Sequence, residues 1–172
     1  MSRRSAAFLL AFLGLAWAQM TLESPAFAFG APIPVRYTCD GEDLSPPLVW
    51  RGVPAAASSL VLVVWDPDAP VGVFFHWSAY DLSKKRTGLA EGVPPKPRVG
   101  EFKQGKNDFQ RVGYGGPCPP RGHGPHRYFF RLYALKEPAL GLPPGAPARA
   151  VLEALKTKTV LARAEWMGTY AR

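Results

Sequence analysis

Apolar residues along this chain fall into short runs separated by proline and glycine. Leu60 to Trp65 is six consecutive apolar residues, the pattern of a strand buried on both faces. Two other runs alternate. In "VFFHWSAY" a period of two places Phe74, His76, Ser78 and Tyr80 on one face and Val73, Phe75, Trp77 and Ala79 on the other. In "HRYFFRLYAL" it separates His126, Tyr128, Phe130 and Leu132 from Arg127, Phe129, Arg131 and Tyr133. Strands are also expected at Thr21 to Ser24, Pro34 to Thr38 and Val160 to Tyr170, where β-branched or aromatic residues lie between turn formers. Only Pro147 to Lys156 reads as a helix, with proline in its first turn and Val151, Leu152 and Leu155 on one face. The pattern implies a mostly β, antiparallel sandwich with one or two short peripheral helices. Two stretches, Cys39 to Pro54 and Gly88 to Pro125, are too long for hairpin turns and read as loops that build a site.

Composition changes this picture at the N-terminus. Arg3 and Arg4 precede an apolar run from Ala6 to Ala18, and Ala16-Trp17-Ala18 offers a small-x-small cleavage pattern before Gln19. Residues 1–18 therefore read as a signal peptide of an exported protein, periplasmic or secreted, and residues 19–172 as a single domain. The formal net charge of +8 comes from scattered lysines and arginines rather than a block, which favours solubility over nucleic-acid binding. Cys39 and Cys118 are the two cysteines, and export makes a disulfide between them the expectation.

Candidate chemistry gathers at strand ends. Asp66 closes the apolar run, and Pro67 after it biases its backbone toward an extended form. Asp68 sits within the turn, where it can brace its own backbone as an Asx-turn. A hairpin from Asp66 to His76 brings the two to one end of the sheet. His126 and Tyr128 begin another strand where the loop "GGPCPPRGHG" arrives, and the glycines of that loop suggest a nest of N–H groups for an anion. His123, in the same loop, reads as solvated. Two histidines and a carboxylate are a known metal set, but the chain has no His-x-x-x-His or Cys-x-x-Cys spacing, so no metal is expected. No Walker loop, dinucleotide fingerprint or G-x-S-x-G elbow is present, and no cofactor is expected.

In order, "DPDAP" (Asp66 to Pro70), "FFHW" with His76, "YGGPCPP" (Tyr114 to Pro120) and "HRYFFRLYAL" (His126 to Leu135) resemble the phosphatidylethanolamine-binding protein family. They are most similar to its bacterial branch of Raf-kinase-inhibitor-like proteins. "YTCDGEDLSPPLVW" and the terminal "GTYAR" extend the resemblance over nearly all of residues 19–172. It implies a Greek-key β-sandwich with an anion-binding pocket. Carried over by position, the ligand-binding residues would be Asp66, Pro70, His76, Pro119, Pro120, His126 and Tyr128, with Asp68 and Arg127 structural at the site. Phe74 stands where some members carry a tryptophan at the pocket wall. The C-terminal helix of eukaryotic members, which adds a pocket tyrosine, has no counterpart here, and that role is not carried to Tyr170.

The expected function is non-catalytic binding of a small anion, a phosphate or phosphoethanolamine-type headgroup or a carboxylate. The partner would be that ligand or a phospholipid headgroup. An inhibitor or adaptor acting on a protein partner, possible as a homodimer, is the alternative. A hydrolase using Cys118 with a histidine comes third, and a disulfide to Cys39 would abolish it.

Overall fold

The computed structural model describes residues 19–172; the signal-peptide reading of residues 1–18 lies outside the described residues. Nine strands form two antiparallel sheets. The smaller sheet joins β1 (Thr21–Glu23), β2 (Leu48–Arg51) and β5 (Gly88–Leu89) in the order β1-β2-β5. The larger contains β3 (Ser59–Asp66), β4 (Phe74–Ser83), β6 (Arg98–Val99), β7 (Phe102–Gln104), β8 (His126–Leu135) and β9 (Val160–Tyr170), in the order β6-β7-β4-β3-β8-β9. After the β3–β4 hairpin the chain lays β7 beside β4, then returns to place β8 on the far side of β3. That order is a Greek key.

The apolar run of β3 is buried on both faces because the large sheet has two covered sides. Leu60, Leu62 and Val64 point with Trp77, Ala79, Phe130 and Leu132 toward the small sheet and its Leu22, Leu48 and Trp50. Val61 and Val63 point the other way, into a second core with Phe75, Tyr80, Val151 and Leu155. The helix α1 (Ala148–Leu155) packs over β4 on that side, its Val151 and Leu155 buried as the sequence pattern required.

Strict alternation fails on β4. Val64 pairs with Trp77 while Trp65 pairs with Phe75, so His76 is an extra residue without a partner on β3. This bulge turns Phe75 to the helix side, although Trp77 and Ala79 face the small sheet. A second bulge follows, where Leu62 pairs with Ala79 and Leu60 with Leu82; Asp81 lies within it at φ 58°. The first bulge thus puts Phe75 on the side of Tyr80, and the second returns Leu82 to the side of Trp77.

Three expected elements differ from the pattern. Val35–Tyr37 is a 3-10 turn rather than a strand, because Pro34 starts the turn and the Tyr37 and Thr38 amides donate back to the carbonyls of Pro34 (2.9 Å) and Val35 (3.0 Å). The stretch from Cys39 to Pro54 contains β2, and the stretch from Gly88 to Pro125 contains β5, β6 and β7. Strands of two to four residues complete too few periods to be read from alternation.

Candidate functional site

Asp66 ends β3 directly opposite Phe74, so a seven-residue turn carries the chain from carboxylate to bulge. Its Oδ1 accepts the Asp68 amide at 2.7 Å. The Asx-turn is therefore made by Asp66, the reverse of the sequence reading, in which Asp68 was the brace. Asp68 reaches across to β8 instead, accepting the Arg127 backbone amide (3.0 Å), Nε (2.9 Å) and Nη2 (2.8 Å). This fork holds the Asp68 carboxyl down at about 2, chiefly through the Arg127 hydrogen bond. A lowered carboxylate contributes stability that is full above its unfolded value and is lost as pH falls through its folded one. Since Arg127 is half exposed, the contribution is discounted to about 1 kcal/mol or less. Asp68→Asn is expected to lose that amount at neutral pH, and its denaturation midpoint should meet that of the native protein as pH falls toward about 2.

The other oxygen of Asp66, Oδ2, accepts a hydrogen bond from His126 Nδ1 at 2.7 Å, with both side chains buried. His126 Nε2 lies 2.7 Å from Nδ1 of His123. His123 is exposed, but it is not simply solvated as its glycine-rich setting suggests.

His76 is buried within a collar of rings: Phe74 (5.1 Å between centroids), Phe109 (5.3 Å) and Tyr128 (5.1 Å). Burial pushes its pKa below the ordinary histidine value, so the ring is neutral near pH 7. With Nδ1 donating to the Gly115 carbonyl at 2.6 Å, Nε2 is left as an acceptor. Tyr128, also buried, has a hydroxyl with no hydrogen-bond partner among the described residues. Burial first, then the charges of Asp66 and Asp68, push its pKa well above the usual phenol value. That hydroxyl remains a donor.

The loop after β7 is sewn to β4 rather than draped over it. The Asp108 amide donates to the Phe75 carbonyl (2.9 Å), the Phe75 amide to Asp108 Oδ2 (2.9 Å) and the Gly115 amide to the His76 carbonyl (2.9 Å). Buried Asn107 closes the intervening turn, accepting the Phe109 and Arg111 amides and donating to Gly113. Farther on, the Gly116 amide donates to Asp43 Oδ1 at 2.7 Å, and Cys118 is joined to Cys39 by a disulfide. A bonded sulfur has no thiol to act as nucleophile.

This stitching narrows the anion-nest reading. The Gly115, Gly116 and Gly122 amides are engaged by His76, Asp43 and Arg172, and Pro117, Pro119 and Pro120 have no N–H. The glycines serve close approach: a Cβ on Gly116 would lie 2.3 Å from the Tyr37 carbonyl oxygen, and one on Gly115 would lie 2.5 Å from the Phe109 ring. Those three glycine amides are closed to an oxyanion, whereas the Cys118, Arg121 and Gly124 amides have no hydrogen-bond partner among the described residues.

All seven residues expected to bind ligand, namely Asp66, Pro70, His76, Pro119, Pro120, His126 and Tyr128, line one open cavity of about 270 Å³ together with Phe74. Ala69, Val71, Phe109 and Cys118 complete its wall; of these, sequence singles out only Cys118, and as a nucleophile rather than a wall residue. Phe109 lies in a loop without periodicity, so no pattern marks it. Its place depends on the Asn107 turn. Larger surface depressions elsewhere, such as one of about 630 Å³ beside Gln19 and Arg163, gather no comparable set of histidine, carboxylate and phenol.

The model of the family "phosphatidylethanolamine-binding protein" matches residues 23–171. The chain belongs to that family. A UPF0098 protein of Aquifex aeolicus is 51% identical over 153 residues, covering 89% of each chain. Among solved structures, a phosphatidylethanolamine-binding protein homologue from Chlamydia trachomatis superposes with a TM-score of 0.79 at 42% identity, covering 90% of this chain and 98% of its own. YbcL of E. coli, titled a member of the mammalian family, gives 0.84 at 29% identity, covering 90% and 99%. The fold and the family expected from the motifs are thus those of this chain.

Proposed function

We propose that the cavity binds a small oxyanion, of the phosphate-monoester or carboxylate type, and releases it unchanged. The observation that carries this reading is the Tyr128 hydroxyl, a buried donor without a partner at the cavity wall. Leaving such a group unpaired costs about 1–3 kcal/mol, which an oxygen of a bound ligand would recover. The His76 Nε2 lone pair beside it suits a ligand that also carries a proton, as hydrogen phosphate or a protonated monoester does. A volume of about 270 Å³ lies at the small end of ligand sites and suits a headgroup rather than a whole lipid. The name of the family, which refers to a phosphate-bearing headgroup, agrees with that chemistry. The disulfide leaves Cys118 without a thiol, which disfavours a cysteine hydrolase at this cavity. We place the protein outside the cytoplasm; the disulfide and the leader-like composition of residues 1–18 support an oxidising compartment.

Calorimetric titration with inorganic phosphate, phosphoethanolamine and acetate tests the reading. Tyr128→Phe should bind phosphate about ten- to a hundredfold more weakly, since hydrogen bonds to charged groups are worth about 1.5–3 kcal/mol. Its unfolding free energy should stay level or rise, because the substitution removes a buried polar atom that has no partner. Equal affinity in the two proteins would defeat the proposal. Tighter binding of phosphoethanolamine than of phosphate would identify the headgroup, rather than the free ion, as the better occupant.

A further inference from the structure

His123 stands between solvent and His126, and its contact with that ring has a definite proton requirement. His126 Nδ1–H donates to Asp66 Oδ2, so His126 Nε2 is the nitrogen that meets His123 Nδ1 at 2.7 Å. Two facing imidazole nitrogens hydrogen-bond only when one of them carries a proton. A second proton puts N–H on both, and the contact becomes a repulsion.

The backbone around His123 allows the ring to leave. Gly122 and Gly124 flank it at φ 75° and 85°, and a Cβ built on either would meet nothing within 4 Å. The turn itself is tied down by the Gly122 amide on the Arg172 carbonyl (3.0 Å) and the His123 amide on the Pro120 carbonyl (3.1 Å). Because His123 is itself exposed, its side chain can swing into solvent while the turn stays in place.

We propose that His123 is a displaceable, proton-controlled cap on His126, occupying the Nε2 position that the bound ligand takes when the cap leaves. The proposal rests on the reading of the cavity as an oxyanion site. With one proton between the rings, a ligand must displace His123 to reach His126 Nε2. With two, His123 is released, and His126 becomes an imidazolium held by Asp66 that offers Nε2–H to the ligand. The charged and titratable groups around His126 are Asp66 from β3, Asp68 and Arg127 beside the strand start, Tyr128 stacked at 6.5 Å and Tyr170, its register partner on β9. Arg121 lies on the turn of His123 itself. Of these, Asp66 alone binds Nδ1, and it keeps that nitrogen protonated on either side of the switch.

Two measurements on the native protein and on His123→Ala decide the matter, with His123→Asn as a less drastic second variant. Nitrogen-15 NMR of the ligand-free imidazoles between about pH 8 and about pH 5, where histidine titrates, should show that the His126 titration moves when His123 is replaced. An unchanged His126 titration would overturn the contact. Calorimetry with inorganic phosphate should show His123→Ala binding about three- to tenfold tighter than the native protein near pH 8, the worth of one neutral hydrogen bond no longer lost. The ratio should approach one near pH 5; because both proteins meet the same phosphate, its own ionisation cancels. A ratio that stays at one throughout would overturn the cap. Failure of both proteins to bind phosphate would overturn the oxyanion reading and with it the ligand role of His123, whereas the NMR result would still report on the imidazole pair.

Discussion

Replacing Cys39 and Cys118 together by alanine is expected to lower the unfolding free energy by about 4.5 kcal/mol, the chain-entropy value for cross-linking residues 79 apart. For a domain of this size that is roughly 9–18 °C in Tm. The disulfide also joins the two long loops: Cys39 follows the 3-10 turn, and Cys118 opens the Pro119-Pro120 wall of the cavity. Other ties cross the same junction, including the Cys39 amide on the Pro117 carbonyl (3.1 Å) and the Tyr114 hydroxyl on the Tyr37 carbonyl (2.7 Å). These hold the loops together in the folded state, so the loss should come mainly from a freer unfolded chain. Urea denaturation of the variant, beside the native protein with and without reductant, measures it. A loss below about 1 kcal/mol would mean that the unfolded chain gains little freedom without the bond.

Asp66→Ala is the second large effect. It leaves His126 Nδ1 and the Asp68 amide without their acceptor where the Asp66 and His126 side chains are both buried. Removing one partner of a buried pair costs about 3–5 kcal/mol. Asp66→Asn separates the two parts of that cost. The amide oxygen can still accept one of the two hydrogen bonds, but the charge that keeps a proton on His126 is gone. Its destabilisation should fall clearly below that of alanine. Equal losses for the two variants would show that charge, rather than hydrogen bonding, dominates the site.

What the sequence revealed and what it concealed follow from the range of each interaction. β3, β8 and β9 are long enough for their apolar patterns to set their faces, and helix α1 announces itself by its amphipathic spacing. The hairpin that brings Asp66 near His76 was legible for the same reason. The bulge at His76 was not, because an extra residue in one strand is defined only by its partner, here Val64 and Trp65. The glycine loop is legible as site-building, but which of its glycines serve close packing is not. Glycine permits either a nest or a close backbone approach, and only the contacts with His76, Asp43 and Phe109 distinguish them. Asp66 and Asp68 exchanged roles on similar grounds, since two carboxylates in one turn look alike until Arg127 arrives from β8. His123 was passed over because its partner is a buried ring that local sequence cannot show to be close.

A crystal structure determined in inorganic phosphate tests the central claim most directly. The account predicts a phosphate in the cavity among Tyr128, His76 and His126, with one oxygen accepting from the Tyr128 hydroxyl and His123 turned away from His126. Phosphate bound elsewhere on the basic surface, with the cavity free of it and the Tyr128 hydroxyl still without a partner, would contradict it.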